Sequence, residues 1–201
     1  MILRSTSASP FARKVRIAIA LLGLGGRIEE RETDLNDPAD TIRRQNPLGK
    51  IPALLLEDGT ALFDSRVILD YLDHLAGGGK IVPREPASRF AALRLQALCD
   101  GVMDASLLIV YEGRYRPEDK RVAGWVERQA EKVKRGLEAL EAEPPKLTAM
   151  PDVGQIALAC ALGYRDLRFS GDWRKQYPRL LAWHDAFAAQ VPAFAATRHQ
   201  G

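Results

Sequence analysis

Three short stretches carry side chains suited to holding a small polar molecule: Ser9-Pro10, Lys50-Ile51-Pro52 and Asp64-Ser65. After Ser9-Pro10, the apolar residues Phe11, Val15, Ala18 and Leu22 recur at helical spacing. The pattern predicts a helix with Ser9 as its N-cap and Pro10 at the first helical position, where a missing N–H costs nothing. A helix mouth carries partial positive charge and unpaired N–H groups, so it favours an anion such as a thiolate or a carboxylate. Thr6 and Ser7 place two further hydroxyls close to Ser9, so which hydroxyl serves is open at this point. Lys50 brings a cation to a loop, and Asp64-Ser65 brings a carboxylate and a hydroxyl to the start of another helical pattern. Each also has an ordinary structural job: caps at Ser9 and Asp64-Ser65, a solvated lysine at Lys50, and a turn proline opening a strand at Pro52.

These stretches must be positioned by the elements around them. Met1-Ile2-Leu3 reads as a strand leading into the Ser9 helix, which Gly23-Leu24-Gly25-Gly26 stops. Arg27 to Leu35 is heavily charged and reads as an exposed edge strand, since charge protects an edge from pairing. A turn at Asn36-Asp37-Pro38 and one or two helical turns over Ala39–Arg44 follow. Ala53–Leu56 and Thr60–Phe63 around Asp58-Gly59 predict a hairpin, and Ile68, Leu69, Tyr71, Leu72 and Leu75 predict a helix ended by Gly77-Gly78-Gly79. Strand, helix, strand, helix, hairpin, helix describes a small mixed sheet with helices on its faces. In such a unit, ligands sit outside the carboxyl ends of the parallel strands, which is where the Ser9 turn falls.

Beyond a Gly- and Pro-rich linker from Gly77 to Pro86, every pattern is helical. Ala87–Gly113 carries Phe90, Leu93, Ala97, Leu98, Met103, Leu107 and Tyr111; Glu118–Ala142 carries Val122, Val126, Gln129, Val133, Leu137 and Leu140 on one face. Asp152 and Gln155 form a capping-box variant before a nearly all-apolar, hence buried, helix. A last helix runs from Pro178 to Gln190. The expected organisation is an α/β domain over residues 1–77 and an all-helical domain over 87–201.

The bulk numbers narrow the classes. Of 201 residues, 46% are hydrophobic and 27% charged, with a net charge of +3. The basic excess lies in the second half and is mixed with acids, and no basic stripe is interleaved with aromatics, so nothing argues for nucleic-acid binding. No apolar run approaches a membrane span, and the first residues lack the pattern of a signal peptide. Cys99 and Cys160 stand in apolar helical contexts as reduced core residues, which fits a cytoplasmic compartment. Three scattered histidines give no metal-ligand spacing, so no metal is expected.

Ala8–Ala20, with its Ser9-Pro10-Phe11 start, Asn46–Leu54 and Leu62-Phe63-Asp64-Ser65 resemble, in order and at about the usual spacing, the glutathione S-transferase superfamily, notably its serine-type, tau-like and related bacterial members. With the helical second half, the resemblance covers essentially the whole chain. It implies a thioredoxin-like first domain that binds glutathione as co-substrate. It further implies that Ser9 donates a hydrogen bond to the sulfur, that Ile51-Pro52 is a cis bond presenting the Ile51 backbone to the cysteinyl part, and that Lys50 meets the glycine carboxylate. Asp64 takes the γ-glutamyl ammonium, and Ser65 with the helix mouth takes its carboxylate. The implied reaction is attack of the thiolate on a small electrophile, chemistry of the detoxification type, in a cytoplasmic homodimer. Phe11, Met103, Leu107, Tyr111 and Tyr164 are candidates for the apolar wall of the electrophile pocket, each with helix core as its ordinary reading. The chain departs from the family at Asp64, where Glu is commoner, and at Asp152 and Gln155, where Ser/Thr and Asp are usual. Glutathione-dependent peroxide reduction, disulfide exchange and a non-catalytic glutathione-binding interaction protein are the alternatives. Disulfide exchange ranks low, because serine stands where a cysteine is needed and the first domain has no other cysteine.

Overall fold

The computed structural model describes residues 1–199. Strand β1 (Ile2–Ser5) pairs in parallel with β2 (Glu29–Glu32) and antiparallel with β3 (Ala53–Leu55), which pairs antiparallel with β4 (Ala61–Leu62). The order is β2-β1-β3-β4, so the all-exposed, charge-rich β2 is an edge strand as its composition predicts. Helices α1 (Pro10–Leu21), α2 (Ile42–Gln45) and α3 (Ser65–Leu75) complete this half. α2 is a single turn, at the short end of what its sequence allows.

Arg4 explains how the long excursion between β2 and β3 is held. Only 4% exposed in an inner strand, it donates to Thr33 Oγ1 at 3.1 Å, Thr41 Oγ1 at 2.9 Å and Gln45 Oε1 at 3.0 Å, and its Nη2 donates to both Asp40 oxygens at 2.7 and 2.9 Å. A buried guanidinium needs such saturation, and a carboxylate is its strongest partner. Asp40 in turn accepts from the Ile42 N–H at 2.7 Å and fixes the start of α2.

The remainder is helical: α4 (Pro86–Tyr115), α5 (Ala123–Ala142), α6 (Val153–Phe169), α7 (Pro178–Gln190) and α8 (Pro192–Ala196). The buried α6 opens with the expected capping box, Asp152 accepting from the Gly154 and Gln155 N–H groups while Gln155 reaches back. Glycines let α6 approach its neighbours closely. A Cβ on Gly154 would lie 2.7 Å from the Ala92 carbonyl of α4, and one on Gly163 would lie 2.6 Å from an Arg13 nitrogen of α1. One continuous buried cluster runs from Leu3, Val15 and Leu69 through Cys99 and Met103 to Ile156 and Phe187.

The structure corrects four sequence expectations. α5 begins at Ala123 rather than Glu118, because the buried Glu112 carboxylate of α4 accepts the Val122 N–H at 2.9 Å and sets the helix start there; Val122 itself is exposed. Phe90, counted in the apolar pattern of α4, is 67% exposed. β1 extends through Arg4 to Ser5, a polar end that apolar content could not reveal. Finally, α7 is not the last helix: α8, five residues long, is too short to show periodicity.

Candidate active site

Ser9 sits where β1 turns into α1. Its backbone is extended (φ −77°, ψ 121°), and its Oγ accepts from the Ala12 N–H at 3.2 Å. Capping occupies only one acceptor lone pair of the hydroxyl, so its proton remains available to a second partner. Ser7 is used differently. Its Oγ lies 2.7 Å from His199 Nδ1, and it lines a smaller cavity with Arg13, Cys160, His184 and His199. Thr6 and Ser9 line the large cavity between the sheet and the helices, and Ser7 does not.

The loop before β3 is organised by the buried Asn46. Its side chain donates to the Lys50 carbonyl at 2.8 Å and accepts from the Leu48 N–H at 3.0 Å, while Gly49 takes the left-handed conformation at φ +59°. The Ile51–Pro52 peptide bond is cis, as is Phe63–Asp64. Ladder pairing between β1 and β3 stops at Arg4 with Ala53. Beyond it, neither the Ile51 N–H nor its C=O has a backbone partner among the described residues. Such a free strand extension accepts an extended peptide as an added strand.

Asp64 caps α3, its Oδ1 accepting from the Arg66 N–H at 2.9 Å, and the other carboxylate oxygen has no hydrogen-bond partner among the described residues. Ser65 is buried at the helix mouth. Arg66 turns instead to α4, where its Nε donates to Asp100 at 2.8 Å. The other Asp100 oxygen is 2.5 Å from Lys14 of α1, both groups being almost wholly buried. A lysine inside an apolar helix face requires such a partner, and this one ties α1, α3 and α4 together beneath the cavity.

One cavity of about 560 Å³ is lined by Ser9, Phe11, Lys50, Ile51, Asp64 and Ser65 on the sheet side. Leu107, Tyr111 and Tyr164 line it on the helical side. Nine of the ten residues singled out from the sequence thus face one space. Met103 does not: it is fully buried in the core. On an α-helix it lies about 80° around the axis from Tyr111, far enough to turn from cavity to core.

Asp100, Asp104, Arg114 and Arg168 line the same cavity and escaped sequence reasoning. A signal existed: Asp100, Asp104, Leu107 and Tyr111 recur at i, i+4, i+7 and i+11, one face of α4. The Asp104 carboxyl keeps solvent access but is pushed above the usual range, first by burial and then by Asp100, with Arg66 and Lys50 pulling it down. Burial raises the phenols of Tyr111 and Tyr164 above their ordinary value, so both are neutral hydroxyls at physiological pH. Burial also raises both cysteine thiols, Cys160 to about 11, so neither is a ready nucleophile. Among the described residues, no group of His, Cys, Asp or Glu side chains is arranged to hold a metal, and no helix is long and apolar enough to cross a membrane.

Comparison with known proteins agrees with this architecture. Residues 8–75 match the family model of the glutathione S-transferase N-terminal domain, and residues 123–186 match that of the C-terminal domain. The uncharacterized GST-like protein YibF of Escherichia coli (strain K12) is 34% identical over 178 residues, covering 86% of each chain. A glutathione transferase family member from Pseudomonas fluorescens Pf-5, solved with bound glutathione, superimposes with a TM-score of 0.92 at 40% identity, covering 100% of this chain and 99% of that one. A structure from the same organism with bound S-(propanoic acid)-glutathione superimposes with a TM-score of 0.87 at 39% identity and covers 100% of both chains. With its four-stranded mixed sheet and its helical second half, the chain belongs to the glutathione S-transferase family.

Proposed function

We propose that the chain is a serine-type glutathione transferase, with residues 1–77 binding glutathione and residues 87–201 shaping the site for a small electrophile. The observation that carries this reading is the single cavity shared by Ser9, the unpaired Ile51 backbone and the Asp64-Ser65 helix start. Glutathione lies along the sheet side. Its γ-glutamyl ammonium meets the second Asp64 oxygen, and its carboxylate meets Ser65 and the α3 mouth. Its cysteinyl part pairs with Ile51, and its glycine carboxylate meets Lys50.

The sulfur then falls at the mouth of α1. A free thiol has a pKa of about 8.5 and is mostly protonated at neutral pH, whereas the thiolate is the nucleophile. A hydrogen bond from Ser9 and the dipole of α1 both favour the anion, and each unit of lowering corresponds to about 1.4 kcal/mol. The thiolate attacks the electrophilic carbon, forming the C–S bond as the leaving group departs with its bonding pair. The S-conjugate bound to the relative from Pseudomonas fluorescens is the kind of product such a reaction releases. The high pKa of both protein thiols speaks against disulfide exchange through a cysteine of the chain. Val67 on α3 and Phe90 on α4 are exposed apolar residues available to a second copy, consistent with a homodimer. The two reduced thiols fit a cytoplasmic protein.

Calorimetric titration with glutathione tests the site. Asp64→Asn keeps a good N-cap but removes the charge, and it lowers affinity by about tenfold or more. Unchanged affinity contradicts the assignment. Sedimentation at micromolar concentration gives a species near twice the 22.2 kDa chain mass, and a purely monomeric species contradicts the homodimer.

A further inference from the structure

From the far end of the cavity we infer that the preferred electrophile carries a carboxylate or similar anionic group, received by Arg168 and Arg114. This inference rests on the glutathione reading above and names the substrate class of that same site. Buried and half-buried arginines elsewhere in the chain are held by partners: Arg4 pairs with Asp40, Arg66 with Asp100, Arg165 with Asp172 and Arg174 with Asp166, while Arg13 donates to the Phe194 carbonyl and to Thr197 Oγ1. Arg168 breaks this pattern. It lines the cavity, forms no ion pair among the described residues, and its Nε is buried without a hydrogen-bond partner. Arg114 lines the same cavity from α4, also with no acidic partner among the described residues; its guanidinium carbon is 5.9 Å from the Tyr111 ring centroid.

The placement follows from helix geometry. Tyr164 and Arg168 stand one turn apart on the cavity face of α6, about 5.4 Å along the axis, and Tyr111 and Arg114 are neighbours on α4. Tyr164 lies near the Ser9 corner, since both line the large cavity and the smaller one beside it. The path from the sulfur corner therefore passes the tyrosine and reaches the guanidinium about one turn later. The acids of the cavity are kept at the other end: Asp104 precedes Arg114 by ten residues, about 15 Å of helix. An apolar electrophile leaves two cations facing it unmatched. A carboxylate on a short spacer supplies the charged acceptor that the buried Arg168 Nε lacks, and the planar fork of a guanidinium is suited to hold it bidentately.

The test uses S-carboxypropyl glutathione and its neutral counterpart, the carboxamide of the same chain length, with S-methylglutathione as reference. Dissociation constants are measured by calorimetry on the full-length protein. The inference predicts that the acid binds about tenfold tighter than the amide, and that the ratio falls below about threefold in Arg114→Gln/Arg168→Gln. Equal binding of acid and amide by the wild-type protein, with S-methylglutathione still bound, overturns the anionic-substrate inference and leaves the glutathione site standing. Failure to bind glutathione or S-methylglutathione at all overturns both. The wild-type comparison does not depend on how well the variant folds.

Discussion

On the sheet side of the cavity, Ser9, Ile51, Asp64 and Ser65 all stand where an element begins or ends. On the helical side, Asp104, Leu107, Tyr111 and Tyr164 project from the interior of two long helices. The first wall offers backbone groups, helix mouths and caps, and local chain geometry fixes each of them. The second offers side chains alone, placed by how α4 and α6 pack. A ligand that is always the same suits the first arrangement; a variable second substrate suits the second. Lys14, Asp100 and Arg66 join the two walls through charges that neither could bury alone.

The largest effect is expected at that junction. Asp100→Ala leaves Lys14 charged and buried without a partner, a loss of about 3–5 kcal/mol in urea unfolding. Lys14→Met/Asp100→Leu removes both charges and recovers most of that loss. If the single variant unfolds like the wild-type protein, the two walls are not joined as described. The next effect sharpens the division of labour. Leu107→Ala raises the KM for an electrophile by roughly three- to tenfold through lost apolar contact while the glutathione Kd stays within about twofold. A larger change in glutathione Kd than in electrophile KM reverses the assignment of the walls. The smallest effect is electrostatic. The Asp104 carboxyl has a raised pKa, so ionising it weakens the fold above the ordinary carboxylate range, and this penalty disappears once the group is protonated in both folded and unfolded chains. Asp104→Asn therefore raises Tm slightly at neutral pH, and the gain vanishes in acid; a gain that grows as pH falls contradicts the cause given.

The contrast between the walls also explains what could be read from the sequence. Ser9-Pro10, Asp64-Ser65 and Asp152/Gln155 are local devices whose signatures occupy a few adjacent residues, and the structure forms the cap at each of them. The charged edge strand and the hairpin were legible for the same reason. Asp100 is readable only as part of one face of α4, and Arg114 and Arg168 carry no local signature, because what they line arises from helices far apart in sequence. Helical spacing groups Met103 with Leu107 and Tyr111 as a cavity candidate, and the packing of α4 decides for its ordinary reading as core. Ser7 could not be told from Ser9 by type or neighbours, and the partner that distinguishes it, His199, is 192 residues away.

The most direct test of the account is the pH titration of bound glutathione, following thiolate absorbance in the wild-type protein and in Ser9→Gly, which keeps a tolerated N-cap but removes the hydroxyl. The account predicts a bound thiol titrating at least about one unit below the free value of about 8.5, and a return of most of that shift in the variant at little cost in glutathione affinity. A wild-type thiol that titrates as in free glutathione, or a lowered value that survives loss of the Ser9 hydroxyl, contradicts it.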